Sequence, residues 1–192
     1  TLDNSIEELY VKKSLHFFNK LYSNSEKNLK IVFTSLHGTS YKLIPKLLKK
    51  TGFSELKLVD KQMIPDGNFT HAKSSNPEDK LALIDAIEIA KKNNSDLVIG
   101  TDPDADRFGI VVKDFNGDFI QINGNQSMIV LTDFLLSRLQ YEKTKSFIAS
   151  TVVSTPMMQK IADKNKVKLI LSLTGFKWIG KMINDFPSLN YL

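Results

Sequence analysis

The sequence predicts an α/β protein of layered mixed sheets flanked by helices, arranged as two consecutive α/β/α units, the second incomplete. Three observations predict it. Short apolar runs rich in β-branched residues alternate with longer stretches of helical periodicity, joined by short loops, which is the pattern of a sheet covered by helices. The run "FGIVVKDFNGDFIQI" (Phe108–Ile122) joins two strands through an Asn-Gly turn, a hairpin signature that makes the first sheet mixed. After Asn123 the order of elements repeats in shorter form, without repeating letters. The boundary is therefore expected near 122–125, with a first unit at residues 1–122 and a truncated second unit at 123–192.

In the first unit, residues 4–22 place Ile6, Leu9, Tyr10, Lys13, Phe17 and Leu21 at helical spacing behind Asp3 or Asn4 as N-cap, predicting an amphipathic helix. "LKIVFTS" (Leu29–Ser35) predicts a buried strand. The loop "LHGTS" and a helix through "YKLIPKLLKKTG" follow, with Gly52 as its stop and Pro45 arguing against a regular first turn. "ELKLVD" (Glu55–Asp60) is the next strand. Residues 61–77 are polar and aperiodic, with two prolines, and loops of that length are often functional. "PEDKLALIDAIEIAKKNN" (Pro77–Asn94) predicts a helix with Asn76 as cap and Pro77 at its first position. Strands at "DLVIG" and "FGIVVKD" then flank an aspartate-rich loop.

In the second unit, helix "NQSMIVLTDFLLSRLQ" precedes strand "SFIAS", and helix "TPMMQKIADKN" is capped by Thr155. Strand "KLILS" leads to "LTGFKWIGKMI". Trp178 and the Met157–Met158 pair read as core packing.

Composition narrows the function classes. At 192 residues, 42% hydrophobic and 24% charged, the chain can bury a real core. No apolar run approaches the roughly 20 residues that cross a bilayer, and "MIVLTDFLL" is broken by Asp133. The N-terminus has no signal-peptide pattern, and without an initiator Met the chain is expected to be a fragment or a processed product. The absence of cysteine excludes disulfides, zinc thiolates and thiol catalysis, and fits a cytoplasmic location. The net charge is +5, yet only Arg107 and Arg138 of 26 basic residues are arginine. Readout of bases and phosphates favours arginine, so no nucleic-acid partner is expected, while anionic small substrates are compatible with the lysine-rich surface.

"VIGTDPDADRFGIVV" (Val98–Val112) sets Asp102, Asp104 and Asp106 at alternating positions between two strands. An extended or bent backbone can turn all three carboxylates to one point, where they repel unless a cation joins them. Hard oxygen ligands suit Mg²⁺ or Ca²⁺. An EF-hand is excluded, because Arg107 replaces the required glycine, Lys113 the bidentate glutamate, and strands the flanking helices. The bland alternative is a polar turn whose aspartates cap backbone groups. Arg107 beside the triad can hold a phosphate oxygen while a metal holds another. His37, before Gly38 at a strand end, is either a base or a loop residue bonded to backbone.

"GTDPDADRFGIVV" resembles the metal-binding loop of the α-D-phosphohexomutases, the phosphoglucomutase/phosphomannomutase family. "TSLHGTS" resembles a loop of that family's second domain, "PDGNFTHAKSSNPED" its P-D-x-x-F…N-P-E linker, and "LTGFKWIG" the T-G-[FW]-K loop of its third domain. The resemblance implies that Asp102, Asp104 and Asp106 bind Mg²⁺, that Arg107 steadies phosphate, and that Gly175, Phe176 and Lys177 meet the phosphosugar. A helix N-terminus with an ammonium is independently a phosphate site, although Lys177 is also one of 24 lysines.

The family's enzymes are four-domain isomerases of carbohydrate metabolism, intramolecular phosphotransferases that act through a phosphoserine in domain one. They move phosphate between the 1- and 6-positions of a hexose by way of a bisphosphate sugar. No match to the phosphoserine loop, to the acidic sugar loop of domain three or to domain four occurs in this sequence. The chain therefore resembles domain two with the first part of domain three, its partners being the missing domains 1 and 4, and is expected to be inactive alone. The alternative is a non-catalytic metal- or sugar-phosphate-binding module.

Overall fold

The computed structural model describes residues 3–22 and 27–192. The chain forms two compact units that divide at Gly124. Among the described residues no helix is long and apolar enough to cross a membrane.

The first unit contains α1 (Asn4–Tyr22), β1 (Ile31–Thr34), α2 (Leu43–Lys50), β2 (Leu56–Leu58), α3 (Ile84–Lys92), β3 (Leu97–Thr101), β4 (Phe108–Lys113) and β5 (Phe119–Ile122). Its five strands lie in the order β2-β1-β3-β4-β5. β1 is parallel to β2 and β3, whereas β3–β4 and β4–β5 are antiparallel, so the sheet is mixed. Every residue of β1 is buried, as expected of a strand covered on both faces. Val32, Val98 and Val111 from three adjacent strands pack with Leu36, Leu83, Ala86 and Ala90, the two alanines letting α3 approach the sheet closely. The chain leaves β1 towards β2 and leaves β3 towards β4, on opposite sides. The carboxyl ends of β1 and β3 therefore form a switch point, where open α/β sheets usually bind ligands.

Several elements differ from expectation for local reasons. The helix expected from Pro77 begins only at Ile84. Before it, the Asn76 side chain accepts from the Glu78 amide at 3.1 Å and the Asp79 side chain from the Leu81 amide at 2.9 Å, two Asx turns that compete with the helix ladder. β2 is three residues long, and a 3-10 turn at Asp60–Gln62 takes the last residue of the expected strand. Pro45 is tolerated because it stands in the first turn of α2, where its missing N–H has no ladder partner. Gly52 ends α2 with φ +102, in the left-handed region. In α1 the Asp3 side chain accepts from the Ser5 amide at 2.7 Å, as an N-cap does. The helix buries Val11 and Leu21, while Ile6, Leu9, Tyr10 and Phe17 stay about half exposed.

The second unit contains α4 (Gly124–Arg138), β6 (Ser146–Thr151), α5 (Met157–Asn165), β7 (Lys168–Ser172), α6 (Phe176–Asp185) and β8 (Asn190–Tyr191). A parallel sheet of order β7-β6-β8 results. Leu136, Ile148, Met158, Ile161, Ala162 and Val167 form its core, and Phe147 packs its ring near Phe186 and Tyr191. Met158 is buried, but Met157 is exposed at the head of α5 and Trp178 only half-buried, which corrects the reading of all three as core. β8 has no apolar signature and was invisible in the sequence. It exists because Asn190 and Tyr191 pair with Ser146 and Phe147.

Candidate metal centre

β3 and β4 run antiparallel in register, Thr101 opposite Phe108, so the six residues between them close a tight loop at the switch point. The loop folds on its own hydrogen bonds. The Ala105 amide donates to the Asp102 carbonyl at 3.1 Å, and the Asp102 amide to the Arg107 carbonyl at 3.2 Å. Ala105 takes φ +63, a left-handed conformation that costs a non-glycine residue about 1 kcal/mol. That turn carries Asp104 and Asp106 outwards while Asp102 points in.

Asp102 is fully buried. Its Oδ1 accepts from the Arg107 amide at 3.0 Å and its Oδ2 from Arg107 Nε at 2.7 Å. Burial opposes its charge, but the Arg107 amide and guanidinium together outweigh that and hold the carboxyl below the usual range. Asp104 and Asp106 are exposed, and one carboxylate oxygen from each of the three aspartates lies within 4.8 Å of the others. A hydrogen bond shared with Asp102, then burial and the charge of Asp104, push the Asp106 carboxyl up. Three carboxylates whose oxygens lie this close repel one another. An all-oxygen donor set of this kind fits a hard cation such as Mg²⁺.

Arg107 contributes its Nε edge to Asp102 and lies 3.6 Å from Asp106, while 59% of its side chain faces solvent. The guanidinium is thus oriented by a buried carboxylate and open on its outer side.

The loop rests on a second one, between β1 and α2, which sequence reasoning did not assign to the site. Gly38 meets Pro103 so closely that a Cβ there would fall 2.4 Å from Pro103 Cα. The Thr39 amide donates to the Pro103 carbonyl at 2.8 Å, and the hydroxyls of Ser40 and Thr101 are 2.6 Å apart. Leu36 and His37 are consecutive residues with positive φ, +46 and +63. His37 is buried, and its Nε2 accepts from the His71 amide at 3.1 Å. Its Nδ1 therefore carries the proton and donates to the Ile64 carbonyl at 2.7 Å. Both ring nitrogens are engaged by backbone, which is the loop-residue reading of His37.

Gly175, Phe176 and Lys177 stand in the second unit at the amino end of α6, whose N-cap Gly175 has φ +118. Phe176 is 85% exposed, and Lys177 Nζ lies 5.4 Å from the Trp178 ring centre. The aspartates belong to the first unit.

Two family models match the chain. One, described as phosphoglucomutase/phosphomannomutase alpha/beta/alpha domain II, matches residues 8–117, and one described as alpha/beta/alpha domain III matches residues 123–189. A phosphoglucomutase of Staphylococcus aureus strain N315 is 40% identical over 181 residues, which is 94% of this chain and 32% of that protein. This chain thus spans about a third of the length of the curated relatives it matches. Among solved structures, a phosphoglucomutase/phosphomannomutase family protein of Burkholderia thailandensis superimposes with TM-score 0.71 at 20% identity, over 95% of this chain and 36% of that one. The N-acetylphosphoglucosamine mutase of Aspergillus fumigatus, solved with GlcNAc-6P and magnesium, gives TM-score 0.63 at 16% identity, over 94% of this chain and 35% of that one. Such identities carry the fold; the family models, which together take in both units, carry the kinship. The chain belongs to the phosphoglucomutase/phosphomannomutase family.

Proposed function

We propose that this chain is the part of a hexose-phosphate mutase that supplies its Mg²⁺-binding loop, residues 1–122 serving as domain two and residues 123–192 as the first part of domain three. The observation that carries the reading is the convergence of Asp102, Asp104 and Asp106 within 4.8 Å at the sheet's switch point. In that role the three carboxylates hold the cation. Bound there, Mg²⁺ supplies positive charge to oxygens of a transferring phosphoryl group, the main help available to such a reaction. Arg107 is held by Asp102 and turns its outer guanidinium edge to a phosphate oxygen. Lys177, at the first turn of α6, meets the anionic phosphosugar, aided by the helix N-terminus. No match to the family's phosphoserine loop or sugar-selecting loop occurs among these 192 residues, so the chain alone is expected to show no turnover of glucose 1-phosphate to glucose 6-phosphate.

The metal assignment is tested by titrating the chain with Mn²⁺, a paramagnetic substitute for Mg²⁺, and following broadening of the loop amide resonances. Wild type is expected to broaden selectively around 102–107 and Asp104→Ala to lose that response. Equal behaviour of the two proteins removes the aspartates from the site.

A further inference from the structure

His37 is fastened through both its backbone and its ring. Its amide donates to the Gln62 carbonyl at 2.8 Å and its carbonyl accepts from the Asp66 amide at 3.3 Å. Its ring adds the Ile64 and His71 bonds, so four hydrogen bonds fasten one residue to the stretch 62–71. Gln62, itself fully buried, secures that stretch in turn. Its Oε1 accepts from the Thr34 hydroxyl at 2.7 Å, its Nε2 donates to the His71 carbonyl at 2.7 Å, and its carbonyl takes the Ser35 hydroxyl at 2.9 Å. The next two residues, Gly38 and Thr39, are the ones that touch Pro103 of the aspartate loop. A glycine there permits the contact, and the Thr39–Pro103 hydrogen bond sets its register.

Resting on the Mg²⁺-loop reading above, we infer that His37 and Thr39 are positioning residues for the metal centre. His37 clamps the 36–40 loop to the long 61–77 segment, and Thr39 passes that fixed geometry to Pro103, between ligands Asp102 and Asp104. Neither residue touches the metal or the substrate. Their contribution is to hold the aspartate loop in the one conformation whose carboxylates converge, so that a cation need not supply the ordering free energy itself. The aperiodic segment 61–77 acquires a function by this route, as the outer anchor of the ligand loop.

Thr39→Pro breaks the link. Thr39 opens a 3-10 turn, where proline's missing N–H is tolerated, and Gly38 has φ −93 and ψ −170, extended as a residue before proline requires. The substitution deletes the Thr39–Pro103 hydrogen bond and, because proline Cδ takes the direction of the lost N–H, also presses on the Pro103 carbonyl oxygen, so the two loops must part. Two readouts separate the coupling from the metal reading: amide exchange at Ala105 and Arg107 in metal-free protein, and Mn²⁺ affinity by paramagnetic broadening. Thr39→Pro is expected to speed exchange at both amides and to weaken Mn²⁺ binding by at least about fivefold each, the loss of one hydrogen bond being the lower bound and the contact of Cδ with the Pro103 oxygen adding to it, with Ala90 in α3 still protected. His37→Ala is expected to do the same. His37→Asn, which keeps a donor at the Nδ1 position and tolerates positive φ, should recover part of the loss. Unchanged exchange and unchanged affinity in both Thr39→Pro and His37→Ala overturn the inference while leaving the metal site standing. Absence of Mn²⁺ binding in wild type overturns the metal reading, and the exchange data then decide the coupling alone.

Discussion

Gly38→Ala should drive the aspartate loop off its seat. The backbone at Gly38 is extended, so any residue can adopt it, and the whole cost is collision. An added Cβ would lie 2.4 Å from Pro103 Cα, 2.5 Å from its oxygen and 2.7 Å from its carbonyl carbon. These are backbone atoms that cannot swing aside like a side-chain tip. Restoring ordinary carbon contact distance requires the two loops to part by about 1 Å. The Thr39–Pro103 hydrogen bond, 2.8 Å in the structure, would then stretch to about 3.8 Å, beyond hydrogen-bonding range. Its loss costs about 1 kcal/mol, and the overpacking about 1–3 kcal/mol more. Urea denaturation of the chain should therefore give an unfolding free energy lower by about 2–4 kcal/mol, at unchanged m-value. A loss under about 0.5 kcal/mol, in the range of neutral surface changes, would refute the close packing of these loops.

The three aspartates should not respond alike to neutral isosteres. Asp102→Asn sets an amide donor against the Arg107 donors in a buried place and is expected to cost about 1–3 kcal/mol in urea unfolding, whereas Asp104→Asn, exposed, should leave stability unchanged while losing Mn²⁺. Similar stability of the two variants would contradict the anchoring role of Asp102. Asp66 should titrate far below an ordinary aspartate: its carboxyl is held down to about 2, first by the Thr70 hydroxyl and then by the Asn68 and Thr70 amides. Because the folded value is the depressed one, its support for the 66–70 turn is complete above the usual 3.8 and is lost as pH falls through about 2. Carboxyl carbon shifts followed by NMR should show that midpoint, and a midpoint near 3.8 would mean that the Thr70 hydroxyl bond is not formed.

What could be read in the sequence was what neighbouring residues settle among themselves. Asp102, Asp104 and Asp106 stand out as a candidate ligand loop because their alternation and their flanking strands lie within fifteen letters. The hairpin after them is equally local, its Asp114 side chain accepting from the Asn116 and Asp118 amides at 2.9 and 2.8 Å. Local chemistry also explains one failure. The run from Pro77 has helical periodicity, but Asn76 and Asp79 offer the backbone a nearer acceptor, and the Asx turns win for two turns of chain. The seat of the aspartate loop was beyond reach for another reason. Ser40 meets Thr101 across a separation of 61 residues, and nothing in either segment's spacing marks the pair. Gly38 was visible only as a glycine after a histidine.

The same division explains how labour is shared among the aspartates. Three outward carboxylates in one loop would repel one another. Turning Asp102 inwards, onto the Arg107 amide and guanidinium, converts one of the repelling charges into the loop's own fastening. The fastening simultaneously aims Arg107, so the residue that would hold phosphate is oriented by a residue that would hold metal. On the proposed reading, ligand geometry and phosphate geometry become one quantity, set by the sheet on one side and by the His37 loop on the other. A substitution at Gly38 or Thr39 should therefore disturb both together.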